Sequence, residues 1–143
     1  MKIEKYGSAQ WSGGLKDGKG KVSTQSGALD AHPYGFNTRF EGVTGSNPEE
    51  LIGAAHAACF TMALSMMLGE AGLTAESLET KANVTLEKLE AGFAITAIEL
   101  VLKGKVPGAD EARFTDIANQ AKAGCPVSKA LAAVPISLSV TLG

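Results

Sequence analysis

At 143 residues the chain has the length of one domain, 1–143, and is long enough to bury a core without a metal or a permanent disulfide. Its 13 Lys and Arg against 15 Asp and Glu give a formal charge of -2. The basic residues are scattered rather than gathered into a stripe, which argues against nucleic acid as a partner. With 45% hydrophobic and 20% charged residues, the composition is neither disordered nor fibrous.

The opening Met1-Lys2-Ile3-Glu4-Lys5-Tyr6-Gly7 lacks the apolar core and cleavage site of a secretory signal, and its alternation suits a strand. The expected compartment is the cytoplasm, where two cysteines are reduced at rest. The Gly-rich piece from Ser12 to Gly18, closing on Asp-Gly, is a hairpin signal between two antiparallel strands in residues 1–25. A loop carrying His32-Pro33 and Gly35 then leads into Phe36-Asn37-Thr38-Arg39-Phe40-Glu41, whose alternation reads as a strand. Phe36, Thr38 and Phe40 share one face, with Asn37, Arg39 and Glu41 on the other.

Ser46-Asn47-Pro48-Glu49-Glu50 is a helix start: Asn47 as N-cap, Pro48 at the first helical position, and Glu50 closing a capping box. The helix should run to about Glu70. Leu51, Ile52, Ala55, Ala58, Phe60 and Met62 fall on all its sides, which predicts a helix surrounded by protein and a largely buried Cys59. The apolar run from Ala54 to Leu68 is shorter than a membrane span and is interrupted by His56, Thr61 and Ser65, so no membrane is expected.

From Leu78 to Leu86 apolar and polar residues alternate as in a half-buried strand, and the turn at Glu90-Ala91-Gly92 returns the chain into Phe93 to Lys103. Pro107-Gly108, with Asp110 as cap, opens a second helix on which Phe114, Ile117, Ala118 and Ala121 share a face, ending at Gly124. Cys125-Pro126-Val127-Ser128 starts a short helix, and Ile136, Leu138, Val140 and Leu142 line one face of a last strand. This order predicts an α+β fold in which an antiparallel sheet wraps around two central helices.

A cysteine inside an apolar helix, such as Cys59, is ordinarily a small core residue. Cys125 stands at an N-cap, where free N–H groups favour thiolate, and Lys122 and Lys129 add positive charge in the sequence nearby. For Cys59 to act as a nucleophile between apolar walls it needs a cation: His56, three residues earlier, or an arginine, which cannot lose its proton. His56 itself reads first as a satisfied core histidine. Zinc on His56, Cys59 and Cys125 lacks a fourth ligand, His32 sits in a loop, and no CxxC or HExxH spacing occurs, so no metal or other cofactor is expected. A Cys-His hydrolase has no matching local signature.

Asn37 to Gly42, Asn47 to Leu64, Ala91 to Thr96 and Lys122 to Ser128 together resemble the osmotically inducible protein C family, which includes the organic hydroperoxide resistance proteins. The resemblance spans nearly the whole chain, and the two cysteine motifs keep that family's order and separation. It implies a peroxidase in which Cys59 attacks the hydroperoxide, Cys125 resolves the sulfenic acid as a disulfide, and Arg39 with Glu49 positions and activates the Cys59 thiolate. It further implies an intertwined homodimer, organic hydroperoxides as substrates, and a dithiol reductant supplied by a lipoylated protein. Glu49 and Cys59 lie ten positions apart on one helix, roughly 15 Å along its axis. If Glu49 acts on Cys59 it must therefore come from the other subunit; alone, it simply favours the helix dipole. A redox-sensing or ligand-binding stress protein that turns over no substrate, and a structural dimer with inert thiols, are the rival readings.

Overall fold

Gly20 has no side chain where two aromatic residues need to meet. In the computed structural model, which describes residues 1–143, Gly20 lies near the start of the middle strand β2 (Lys19–Thr24), opposite Trp11 of β1 (Gly7–Ser12) and Tyr34 of β3 (His32–Tyr34). A Cβ there would collide with both rings. Its absence lets the rings close over the strand, with centroids 5.6 Å apart. The three strands form an antiparallel sheet in the order β1-β2-β3. The hairpin expected in residues 1–25 is thus present, whereas residues 1–6 take no strand. The piece with His32-Pro33 is an edge strand rather than a loop; proline is tolerated at an edge, where its missing N–H breaks no ladder.

The segment expected as a further strand is instead a short helix, α1 (Phe36–Phe40). Its start is capped from inside: the Gly35 N–H donates to Thr38 Oγ1 at 3.0 Å, and that hydroxyl donates to the Ser46 carbonyl at 2.9 Å. Phe36 and Phe40 pack ring to ring at 4.9 Å. A spacing of four puts two residues on one face of a strand and also on one face of a helix, so alternation did not separate the two; the Gly35–Thr38 cap decides it.

The chain folds as two compact units, Met1–Leu51 and Ile52–Gly143, with the boundary inside the first turns of α2 (Pro48–Glu70). Asn47 caps α2 as expected, its Oδ1 accepting from the Glu50 N–H at 2.9 Å. Glu50 closes the box on the Asn47 side-chain amide rather than on the Asn47 backbone.

In the second unit, β4 (Ser77–Leu89) and β5 (Gly92–Lys105) form a long antiparallel hairpin. β6 (Ile136–Leu142) joins β5 in parallel, which departs from the wholly antiparallel sheet expected. The α+β class holds. Between β5 and β6 the chain passes through α3 (Glu111–Gly124) and α4 (Pro126–Ala130), a crossover of the kind a parallel pair requires. Inward residues Ile98, Leu100 and Leu102 of β5 are buried in one core with Phe60, Leu64 and Leu68 of α2 and Phe114, Ala118 and Ala121 of α3. The two expected central helices are α2 and α3.

By length and composition alone α2 could cross a membrane, but it is a core helix: Phe60, Leu64 and Leu68 are fully buried against the sheet. Contrary to expectation its sides are unequal. His56 and these three lie inside, whereas Met62 and Met66 are 75% and 58% exposed in the single chain, and Cys59 is half-buried.

Candidate active site

Asp110 caps α3 by accepting the Arg113 N–H at 2.8 Å, and the helix ends at Gly124. Cys125 then serves as both C-cap of α3 and N-cap of α4, with Pro126 at the first helical position. This double role removes Cys125 wholly from solvent and turns it to Cys59 of α2. Both cysteines are free thiols, and each acts on the ionisation of the other.

The two thiols are pushed apart in acidity. Burial raises the Cys59 pKa, and donation of its S–H to Cys125 raises it further. Burial also works against ionisation of Cys125, but the hydrogen bond from Cys59 and the amide and hydroxyl of Ser128 outweigh it, and its pKa falls below the ordinary thiol value. Lys122 and Lys129 take no part: Lys122 turns its ammonium to the Ile136 carbonyl at 3.4 Å, and Lys129 is exposed.

Arg39 and Glu49, within the first unit, form the other pair. Arg39 Nη2 donates to Glu49 Oε1 at 2.8 Å, and Nε donates to Oε1 at 3.1 Å and Oε2 at 3.2 Å. The Glu49 side chain is 12% exposed and that of Arg39 36%. The Arg39 guanidinium lies 5.3 Å from the Phe40 ring centre. Had residues 36–41 been a strand, Arg39 would have kept Asn37 and Glu41 as face neighbours; on α1 it faces Glu49. A recess of about 190 Å³ beside Arg39 is lined by Trp11, Leu15, Tyr34, Phe36 and Phe40.

His56 turns to Ser128 rather than to Cys59. It is fully buried, with Nε2 2.7 Å from Ser128 Oγ, and burial lowers its pKa, so the ring is neutral. Ser128 is the residue the sequence reading passed over. Its signal was its place three residues after an N-cap, from which a side chain can turn back to the capping residue.

The OsmC-like protein model matches residues 41–139. Peroxiredoxin OsmC of Escherichia coli (strain K12) is 62% identical over 133 residues, 93% of each chain. Organic hydroperoxide resistance protein OhrB of Bacillus subtilis (strain 168) is 33% identical over 112 residues, 78% of this chain and 80% of that one. The crystal structure of OhrB superposes with a TM-score of 0.71 at 29% identity, covering 95% of this chain and 98% of that one. An organic hydroperoxide resistance protein from Elizabethkingia anophelis superposes over the full length of both chains with a TM-score of 0.74 at 26% identity. With a family match across most of its length and these relatives on either side, the chain belongs to the OsmC-like protein family.

Proposed function

We infer that this chain is a thiol-dependent peroxidase reducing organic hydroperoxides to alcohols, with Cys59 as the attacking thiolate and Cys125 as the resolving thiol. The observation that carries the reading is the meeting of two free cysteines from α2 and the α3–α4 junction, close enough for each to shift the other's ionisation. Relatives named a peroxiredoxin and an organic hydroperoxide resistance protein support the same chemistry. The Cys59 sulfur attacks the outer peroxide oxygen, the O–O bond breaks, and the leaving alkoxide takes a proton to become the alcohol. The resulting Cys59 sulfenic acid condenses with Cys125 to a disulfide and water, which an external dithiol reduces. A lipoylated protein is the reductant we propose, and the cytoplasm, where thiols are kept reduced, is the compartment we propose with it.

Burial and the neighbouring Cys125 raise the Cys59 pKa in the single chain, so its thiolate needs a cation. Arg39, permanently charged and held by Glu49, is the group we assign to it. Glu49 is in the first turn of α2 and Cys59 ten residues further on, roughly 15 Å along the helix, so the Arg39–Glu49 pair acts on the Cys59 of a second copy. The exposed apolar side of α2, with Ala55, Ala58, Met62 and Met66, supports that homodimer. The aromatic recess beside Arg39 suits an organic group better than a bare hydroperoxyl.

Peroxide consumption with dihydrolipoamide, using cumene hydroperoxide and hydrogen peroxide in parallel, tests the reading. Sustained turnover with preference for the organic substrate is expected. Consumption of one peroxide per site followed by arrest would instead mark a sensor.

A further inference from the structure

His56 and Ser128 form a buried polar pair beside Cys125, 0% and 5% exposed, with Nε2 2.7 Å from Oγ. The other ring nitrogen, Nδ1, is buried with no partner. An unpartnered buried N–H is rarer than an unpartnered acceptor, so Nδ1 is the bare lone pair and Nε2 carries the hydrogen. His56 then donates to Ser128 Oγ. A hydroxyl that accepts from the ring has its own proton free to donate, and the Cys125 sulfur is the acceptor on which the Ser128 side chain acts.

We propose that Ser128, oriented by His56, is a positioning residue for the resolving step: its hydroxyl proton is aimed at the Cys125 sulfur and holds it as the thiolate that attacks the Cys59 sulfenic acid. The identity of that step rests on the peroxidase reading above. In it the Cys125–Cys59 S–S bond forms as the S–O bond of the sulfenic acid breaks. The Cys125 sulfur is oxidised, the Cys59 sulfur is reduced, and the departing hydroxide takes up the proton given up by Cys125, leaving as water.

The surroundings favour this role over a proton relay or a mere tie between α2 and α4. Burial keeps His56 neutral, with no carboxylate or cation acting on it, so it is a fixed donor. The groups acting on Cys125 are Cys59 from α2 and, from α4, Ser128 and the Val127 amide; of these only Cys59 titrates. From α3 the nearest cation in sequence, Lys122, is engaged by the Ile136 carbonyl. With no ammonium on Cys125, a neutral hydroxyl donor carries weight, because a hydrogen bond to a charged acceptor is stronger than one between neutral groups.

In the Cys59→Ser background, thiolate ultraviolet absorbance followed against pH reports Cys125 alone and needs no peroxide. Ser128→Ala is expected to raise its midpoint by about one pH unit, a tenfold smaller thiolate fraction, and Ser128→Thr to restore it. His56→Leu is expected to move the midpoint the same way, since the hydroxyl loses the donor that fixes it. With both cysteines present, single-turnover kinetics should show disulfide closure slowed about tenfold in Ser128→Ala, with the peroxide-dependent oxidation of Cys59 unchanged. An unmoved midpoint in folded Ser128→Ala overturns the proposal; should that variant not fold, an unmoved midpoint in His56→Leu does so. If the midpoint moves but the wild type never forms the disulfide, the peroxidase reading fails, while the hold of Ser128 on Cys125 stands.

Discussion

Arg39 grips Glu49 with two nitrogens, Nη2 at 2.8 Å and Nε at 3.1 and 3.2 Å, so the guanidinium plane is fixed by the carboxylate. Lysine offers a single point of charge and cannot reproduce that fork. Arg39→Lys is therefore expected to lower kcat/KM for cumene hydroperoxide by about tenfold or more, and Glu49→Gln to do likewise by releasing the guanidinium, on the scale of hydrogen bonds to charged groups. Steady-state kinetics on both variants checks this, with circular dichroism confirming the fold. Wild-type rates in both would remove the pair from the chemistry.

The two cysteines should fail differently. Cys59→Ser is expected to abolish turnover. Cys125→Ser should consume one peroxide to leave Cys59 as the sulfenic acid, and a second, when peroxide is in excess, to carry it on to the sulfinic acid, with no further turnover. Intact-protein mass spectrometry distinguishes the products. The reverse pattern would exchange their roles, a real contest because Cys125 is the more readily ionised of the two in the single chain.

Gly104 continues the inward row of β5 after Ile98, Leu100 and Leu102, and it is buried. A Cβ there would overlap the Phe114 ring, with both Cε carbons only 3.1 Å away. Gly104→Ala should cost about 1–3 kcal/mol through overpacking, with Phe114→Leu in the same chain recovering part of it. Urea unfolding midpoints measure both. Additive losses in the double variant would place the strain elsewhere.

Neutral, buried His56 also has a consequence for stability. Its folded pKa is lowered from 6.5 by burial, so below 6.5 the unfolded chain binds the proton first. The stability is present above 6.5 and is lost as pH falls from there through the lowered folded value. His56→Gln should flatten this slope in denaturation curves taken from neutral pH down to about pH 5. An equal slope in the variant would assign the acid sensitivity to other groups.

Met62, 75% exposed in the single chain, stands on the uncovered apolar side of α2. If that side meets a second copy, Met62→Glu buries a charge in the contact and should shift sedimentation from dimer to monomer. Peroxidase activity should fall with dimer content, because each Cys59 then loses the partner's arginine. A monomeric variant with full activity would show that one chain suffices.

Where signals were local, the sequence alone determined the outcome. Asn47-Pro48, Asp110 and Cys125-Pro126 mark helix starts because caps are satisfied within three or four residues, and α2, α3 and α4 begin where these residues stand. Period-two alternation likewise revealed β4, β5 and β6. Tertiary structure decided what two distant segments do to each other. Phe36 and Phe40 fit strand and helix alike until Thr38 bonds back to Gly35 and across to Ser46. β6 runs parallel to β5 because the chain crosses over through α3 and α4, which its own alternation cannot reveal. His56 meets Ser128 across 72 positions. Which of two sulfurs ionises more readily depends on burial and on the donors brought to each, quantities that exist only once α2 and α4 have packed.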